Sequence, residues 1–254
     1  MKHLAWRGTV AGVSNALMYT GVYPLVPHAY RRSGIVSALA EWAASIAIST
    51  LRPLGFFALP SGQGPRPIIL LHGYGMNRAN FYVLATRLRA AGLGPVFGFE
   101  YWTLGRVAAG ARQLGWFVDE VREKTGAAEV DIVGHSMGGV VARYYVTFAG
   151  GDPYVRRLIT LGSPHAGTDL GKLGFGHPGR ELVLGSKLVT RLAATPVPAH
   201  AKVTTILSHA DALVPASGQP EIAGAERIVY DDLGHVSLMI SRRVARDVID
   251  RLRE

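Results

Sequence analysis

From residue 66 onward, short apolar runs alternate with longer stretches whose apolar positions recur every three or four residues. Ile68-Ile69-Leu70-Leu71, Pro95-Val96-Phe97-Gly98-Phe99, Val130-Asp131-Ile132-Val133, Arg157-Leu158-Ile159-Thr160-Leu161, Val203-Thr204-Thr205-Ile206-Leu207 and Arg227-Ile228-Val229-Tyr230 have the length of buried strands rather than helices. Between them, residues 80–91 and 106–124 read as helices. The second places Val107, Ala111, Leu114, Val118 and Val121 on one face, close to the 3.6-residue period. Residues 139–145 read as a further helix. The chain closes with one over 238–253, where Val244, Val248 and Leu252 recur every four residues. Strands alternating with helices predict an α/β domain with a mostly parallel sheet of about six strands and helices on both faces. Ligands in such sheets sit beyond the C-terminal ends of the strands, so chemistry is sought just after each apolar run.

The first sixty residues break this rhythm. Residues 8–30 contain no Asp, Glu, Lys or Arg and follow Lys2 and Arg7, as a secretory signal would. Gly12, Gly21, Pro24 and Pro27 interrupt the stretch, and no small-residue cleavage site follows it. Its apolar density is also low for a membrane span. A second apolar stretch, 35–50, carries Glu41, and Ile35, Leu39, Trp42 and Ile46 form a stripe at helical spacing. Residues 1–64 are therefore expected to form a helical extension that packs on the main domain or lies on a membrane surface. Pro60-Ser61-Gly62-Gln63-Gly64-Pro65 marks the linker into a main domain over 65–254.

Composition narrows the function classes. Charged residues make up 18% and hydrophobic residues 48% of the 254, as suits one large buried core. With no cysteine, disulfides and thiolate metal sites are excluded. The net charge of +9 comes from scattered basic residues, with no nucleic-acid motif, so no nucleic-acid partner is expected. Peripheral contact with an anionic membrane fits that charge better, and a cytoplasmic or membrane-associated location is expected over a secreted one.

Gly134-His135-Ser136-Met137-Gly138 fits G-x-S-x-G between a predicted strand and a predicted helix, the setting that strains a serine backbone so that its hydroxyl projects. Side chains at Gly134 or Gly138 would collide with the neighbouring strand and helix. A serine hydroxyl needs a base to take its proton, and the base needs an orienting carboxylate. Of the histidines after Ser136, only His235 follows the last predicted strand. Asp211 follows the strand before it. Asp231 and Asp232 are rival acids, but they share a loop with His235 and are read as turn residues. Two N–H groups should receive the oxyanion: that of Met137, and that of Tyr74 in His72-Gly73-Tyr74-Gly75, the loop after the first strand. His72, Gly73 and His135 are expected to line the substrate site, and His165 to order a neighbouring loop.

On the segments Ile69-Leu70-Leu71-His72-Gly73-Tyr74-Gly75, Val130 to Gly139, and Ile159-Thr160-Leu161-Gly162-Ser163-Pro164-His165-Ala166-Gly167-Thr168, the chain resembles the α/β-hydrolase superfamily, and within it bacterial triacylglycerol lipases and esterases. Weaker likeness continues through Asp211-Ala212-Leu213-Val214-Pro215 and Gly234-His235. The resemblance implies an α/β-hydrolase fold with Ser136 as nucleophile, Asp211 as acid and His235 as base, and Met137 and Tyr74 at the oxyanion hole. It also implies a helical cap over about 166–200, where Leu182, Leu184, Leu188, Val189 and Leu192 are loosely amphipathic. Cleavage of acyl or lipid esters is expected without a cofactor; some lipases of this kind bind a structural calcium, and the sequence has no carboxylate cluster that demands one but leaves the question open. Acyltransferases and thioesterases use the same triad. A non-catalytic binding protein of this fold would ordinarily lack a triad member.

Overall fold

The structure of the protein, a computed structural model, describes residues 27–51, 54–55, 57–169 and 176–254. The signal-like stretch of 8–30 lies almost wholly outside them, as do 170–175 of the cap. Six strands form one parallel sheet: β1 Ile68–Leu71, β2 Val96–Phe99, β3 Val130–His135, β4 Val155–Leu161, β5 Lys202–Ser208 and β6 Ala225–Tyr230, in the order β2-β1-β3-β4-β5-β6. β1 is the point where the strand order reverses, with Leu71 level with Phe99 on one side and Gly134 on the other. Crevices open at such reversals beyond the strand ends, and β1 and β3 carry the His72-Gly73 and Ser136 turns there.

Helices cover both faces: α1 Pro27–Thr50, α2 Tyr82–Ala90, α3 Val107–Thr125, α4 Met137–Phe148, α5 Pro178–Glu181, α6 Lys187–Ala193, α7 Ser237–Ile240 and α8 Arg242–Arg253. Alternate strand residues feed two cores. Ile69, Leu71, Val130 and Ile132 meet α3 and α4 through Val107, Ala111, Leu114, Val118, Val121, Val140 and Val141. Ile68, Leu70, Val133 and Ile159 meet α1, α2 and α8 through Ala44, Ile48, Leu84, Leu88, Val244 and Val248. The stripes of α3 and α8 are buried as their spacing predicts.

Two elements differ from expectation in their boundaries. The closing helix is broken into α7 and α8 at Ser241, whose backbone leaves the helical region (ψ 135°) and whose hydroxyl caps α8 by accepting from Arg243 and Val244 N–H. The expected cap helix is likewise two short pieces, α5 and α6, parted by Gly185 at φ 75°.

Helix α1 packs on the main domain, but not through its apolar stripe. Leu39, Trp42 and Ile46 are 60%, 46% and 38% exposed, while Glu41, Ala44, Ser45 and Ile48 are buried. The side chain of Ile35, the fourth member of the stripe, lies outside the described residues. The small Ala44 and Ser45 admit close approach, and the Glu41 carboxylate finds three donors on the main domain. Burying a large apolar side chain is worth about 1.5–3 kcal/mol. Leaving a buried N–H unsatisfied costs about 1–3 kcal/mol. These terms are of one size, so an apolar stripe alone does not decide which face turns inward. No helix among the described residues is long and apolar enough to cross a membrane.

Candidate active site

The expected residues gather at the C-terminal end of the sheet. Ser136 is half-buried in the turn from β3 to α4 at φ 54°, ψ −126°, the only described residue other than glycine with positive φ. An L-residue is held there only where its surroundings enforce it. The surroundings are tight: a Cβ on Gly134 would lie 2.7 Å from Gly139 Cα, and one on Gly138 only 2.5 Å from the Leu71 carbonyl oxygen. The Ser136 N–H donates to the Leu161 carbonyl at 2.8 Å, which anchors the turn to β4. Met137 opens α4, and its N–H belongs to the first turn, whose donors have no partner inside the helix.

Asp211 follows β5 and is buried. Its Oδ1 accepts the N–H groups of Leu213 at 2.9 Å and Val214 at 2.8 Å, and its Oδ2 accepts the Nδ1–H of His235 at 2.7 Å. The carboxylate is fixed from both sides, and it fixes the imidazole with Nδ1 protonated. Burial alone would push the His235 pKa down, but the Asp211 charge and hydrogen bond outweigh it and the value is raised, with Glu41 adding to the rise. The rivals Asp231 and Asp232 are exposed, and Asp232 is engaged with Arg243 at 2.6 Å.

His135 and His72 are fully buried, and both imidazoles are bound by protein groups. His135 donates Nε2–H to the His235 carbonyl at 3.0 Å, and its ring centroid lies 4.6 Å from that of His235. Burial and the neighbouring His235 keep His135 neutral, with a pKa well below the usual histidine range. His72 stacks on Tyr101 at 4.9 Å, donates Nδ1–H to the Gly73 carbonyl at 3.0 Å, and holds Nε2 3.3 Å from Glu100. Burial raises the Glu100 pKa, but His72 and Arg78 outweigh it and the carboxyl sits below its ordinary value.

The loop after β1 lies against the nucleophile. A Cβ on Gly73 would come within 3.0 Å of the Ser136 Cβ. Two contacts hold this loop: Tyr101 donates its hydroxyl to the His72 carbonyl at 2.8 Å, and the Gly75 N–H donates to Thr103 Oγ1 at 3.0 Å. Tyr74 is half-buried against the α3–α4 core. His165 is buried beside Thr160, with Nε2 3.0 Å from the hydroxyl, and burial with Arg143 nearby lowers its pKa well below the usual range. It orders the turn after β4, as the sequence suggests.

Four residues of this assembly carry no sequence signal for their role. Glu41 and Tyr101 are two. Arg143, buried on α4, donates Nη2–H to the carbonyls of Leu192 at 2.7 Å and Thr195 at 2.9 Å and so ties the cap to the helix after the nucleophile. Gln219 accepts from Ala166 N–H at 2.9 Å and donates to the Gly167 carbonyl at 2.8 Å, clamping the start of the cap. Each contact joins residues far apart in sequence, so no local pattern reports it. Among the described residues, no three His, Asp or Glu side chains gather as a metal ion would require.

The chain is similar to triacylglycerol lipases of Pseudarthrobacter phenanthrenivorans and Burkholderia plantarii, at 39% identity over 57 residues in each. That stretch is 22% of this chain and only 17% and 15% of theirs. Among solved structures, a mature lipase of Bacillus licheniformis superposes with a TM-score of 0.66 at 18% identity, over 77% of this chain and 96% of that one. An esterase of Exiguobacterium antarcticum gives 0.56 at 17%, over 78% and 94%, and a monoacylglycerol lipase of Paleococcus ferrophilus 0.56 at 16%, over 77% and 96%. These neighbours and the parallel six-stranded sheet make the fold that of the α/β-hydrolases. Residues 35–222, a span that begins inside α1, match the family described as "Domain of unknown function (DUF7379)", and the chain belongs to that family.

Proposed function

We propose that the protein is a serine hydrolase that cleaves carboxylic esters of acyl or lipid type through an acyl-enzyme. The observation that carries the reading is the buried hydrogen bond from His235 Nδ1 to Asp211 at 2.7 Å, at the same sheet end as Ser136 in its strained turn. With Nδ1 protonated and held, Nε2 is the basic nitrogen, as a general base for a serine requires. Ser136 Oγ attacks the ester carbonyl while His235 takes its proton. The tetrahedral oxyanion rests on the N–H groups of Met137 and Tyr74. His235 then protonates the leaving alcohol. Water, deprotonated by the same imidazole, frees the acid from Ser136.

The apolar character of the cap supports an acyl group as the part recognised: its Leu182, Val189 and Leu192 are buried, and its Leu184 is exposed. The outward stripe of Leu39, Trp42 and Ile46, with exposed Phe57 beyond the helix, supports peripheral contact with the lipid interface.

The test is labelling by a serine-reactive fluorophosphonate, with hydrolysis of p-nitrophenyl esters of rising chain length with and without lipid vesicles. Wild type is expected to label and Ser136→Ala not to, with turnover reduced by about 10⁴-fold or more. Equal labelling of the two refutes the nucleophile. A rate that rises at the vesicle surface, and falls back in Trp42→Glu, assigns a lipase. A short-chain optimum indifferent to vesicles assigns an esterase.

A further inference from the structure

Helix α1 places one carboxylate inside the main domain. Glu41 is 1% exposed, and its partners are all donors. Oε1 accepts the Val236 N–H at 2.6 Å, and Oε2 accepts the Ser237 N–H at 2.9 Å and the Ser237 hydroxyl at 2.6 Å. These are the two peptides that follow His235. On the other side of that histidine the chain passes so close that a Cβ on Gly234 would lie 2.3 Å from Oε2. No cation is among these partners. An apolar side chain at position 41 would leave the Val236 and Ser237 N–H groups buried without this acceptor, so the carboxylate does more than fill space, and it is tolerated there because donors meet both of its oxygens.

We propose that Glu41 is a positioning residue for the catalytic base: from α1 it grips the backbone on which His235 stands and so fixes where the imidazole points. The proposal rests on the reading of Ser136, Asp211 and His235 as a triad. Asp211 holds the imidazole at Nδ1 and His135 holds the His235 carbonyl. Glu41 supplies the remaining restraint, on the peptides that carry the residue into α7. Without it the loop keeps its fold but loses a defined approach of Nε2 to Ser136. Displacements of about 1 Å at reacting groups cost up to about 100-fold in rate.

Glu41 also brings charge. The titratable groups facing His235 are Asp211 from the loop after β5, Glu41 from α1 and the neutral His135 from β3. Arg87 of α2 reaches α7 only at its far end, where it binds the Ile240 carbonyl at 2.6 Å. Burial raises the Glu41 pKa and outweighs its three hydrogen bonds and His235, which act against the rise. The charged form of Glu41 favours protonated His235, so an amide in its place moves the acid limb of the rate profile to lower pH.

The experiment compares wild type, Glu41→Gln and Ser237→Ala in kcat, KM and pH profile on a soluble p-nitrophenyl ester, with thermal unfolding alongside. Glu41→Gln keeps the shape and one acceptor but turns an NH2 toward a donor. Its kcat is expected to fall by about tenfold or more with KM within about twofold, and its acid limb to move down in pH. Ser237→Ala removes one of the three donors and should lower kcat by about threefold. An unfolding change in Glu41→Gln with kcat and the acid limb unchanged overturns the proposal. Should Glu41→Gln fail to fold, unchanged kcat and pH profile in Ser237→Ala do the same. Failure of the triad reading itself looks different: wild type and Ser136→Ala then label alike with fluorophosphonate, whatever stands at position 41.

Discussion

His135, the residue before the nucleophile, donates its Nε2–H to the backbone carbonyl of His235, 100 positions later, at 3.0 Å. The strand that delivers Ser136 and the loop that delivers the base are thus joined directly. His135→Phe keeps the ring and removes the donor. It is expected to lower kcat about tenfold. It should also cost about 1–3 kcal/mol of stability, because the His235 carbonyl is left buried without a partner. Turnover and urea unfolding on the same preparation check both.

The acid assignment separates by burial. Both oxygens of Asp211 accept hydrogen bonds inside the protein, whereas Asp232 pairs with Arg243 in solvent. Asp211→Asn should reduce kcat by about 10³–10⁴-fold, because the imidazole loses its fixed tautomer. Asp232→Asn should stay within about twofold, since exposed ion pairs contribute little. Steady-state turnover of the two variants decides between them.

The base acts only when neutral. Its folded pKa is raised by Asp211 and Glu41 against the opposing effect of burial. The rate must therefore climb with pH through a midpoint above the ordinary histidine value of about 6.5. A profile of kcat/KM from pH 5 to 9 tests this, and a midpoint below the ordinary value would contradict the charge arrangement around His235.

Arg143 holds the cap through the carbonyls of Leu192 and Thr195, and burial lowers its pKa to about 10. Arg143→Met should loosen α6 and destabilise the protein by about 1–3 kcal/mol, because two carbonyls lose a charged donor. Thermal unfolding reads the loss. Acyl-chain preference should broaden while Ser136 still labels with fluorophosphonate.

Tyr101 fixes the loop carrying the proposed oxyanion donor through the His72 carbonyl. Tyr101→Phe removes that bond and leaves the stacking on His72 and Phe99 in place. Its kcat should fall by about tenfold with little change in KM, since oxyanion donors act chiefly in the transition state.

The six strands, the helices α3 and α4 and the order Ser136, Asp211, His235 could be read from the chain, because each depends on local period or on position after a strand. A run such as Ile68-Ile69-Leu70-Leu71 can only be buried, and a serine between two such glycines has few settings. Tertiary structure alone decided which face of α1 turns inward. Stripe and carboxylate compete at similar energies, and the outcome depends on donors at residues 236 and 237, nearly 200 positions away. It decided the break at Ser241 and the split of the cap at Gly185, where capping and positive φ outweigh a continuous apolar period. It also brought in Glu41, Tyr101, Arg143 and Gln219, whose partners, mostly backbone groups, lie far away along the chain. Sequence pattern determines which residues seek burial and which carry chemistry; where a buried polar group finds its partner depends on how the whole chain packs.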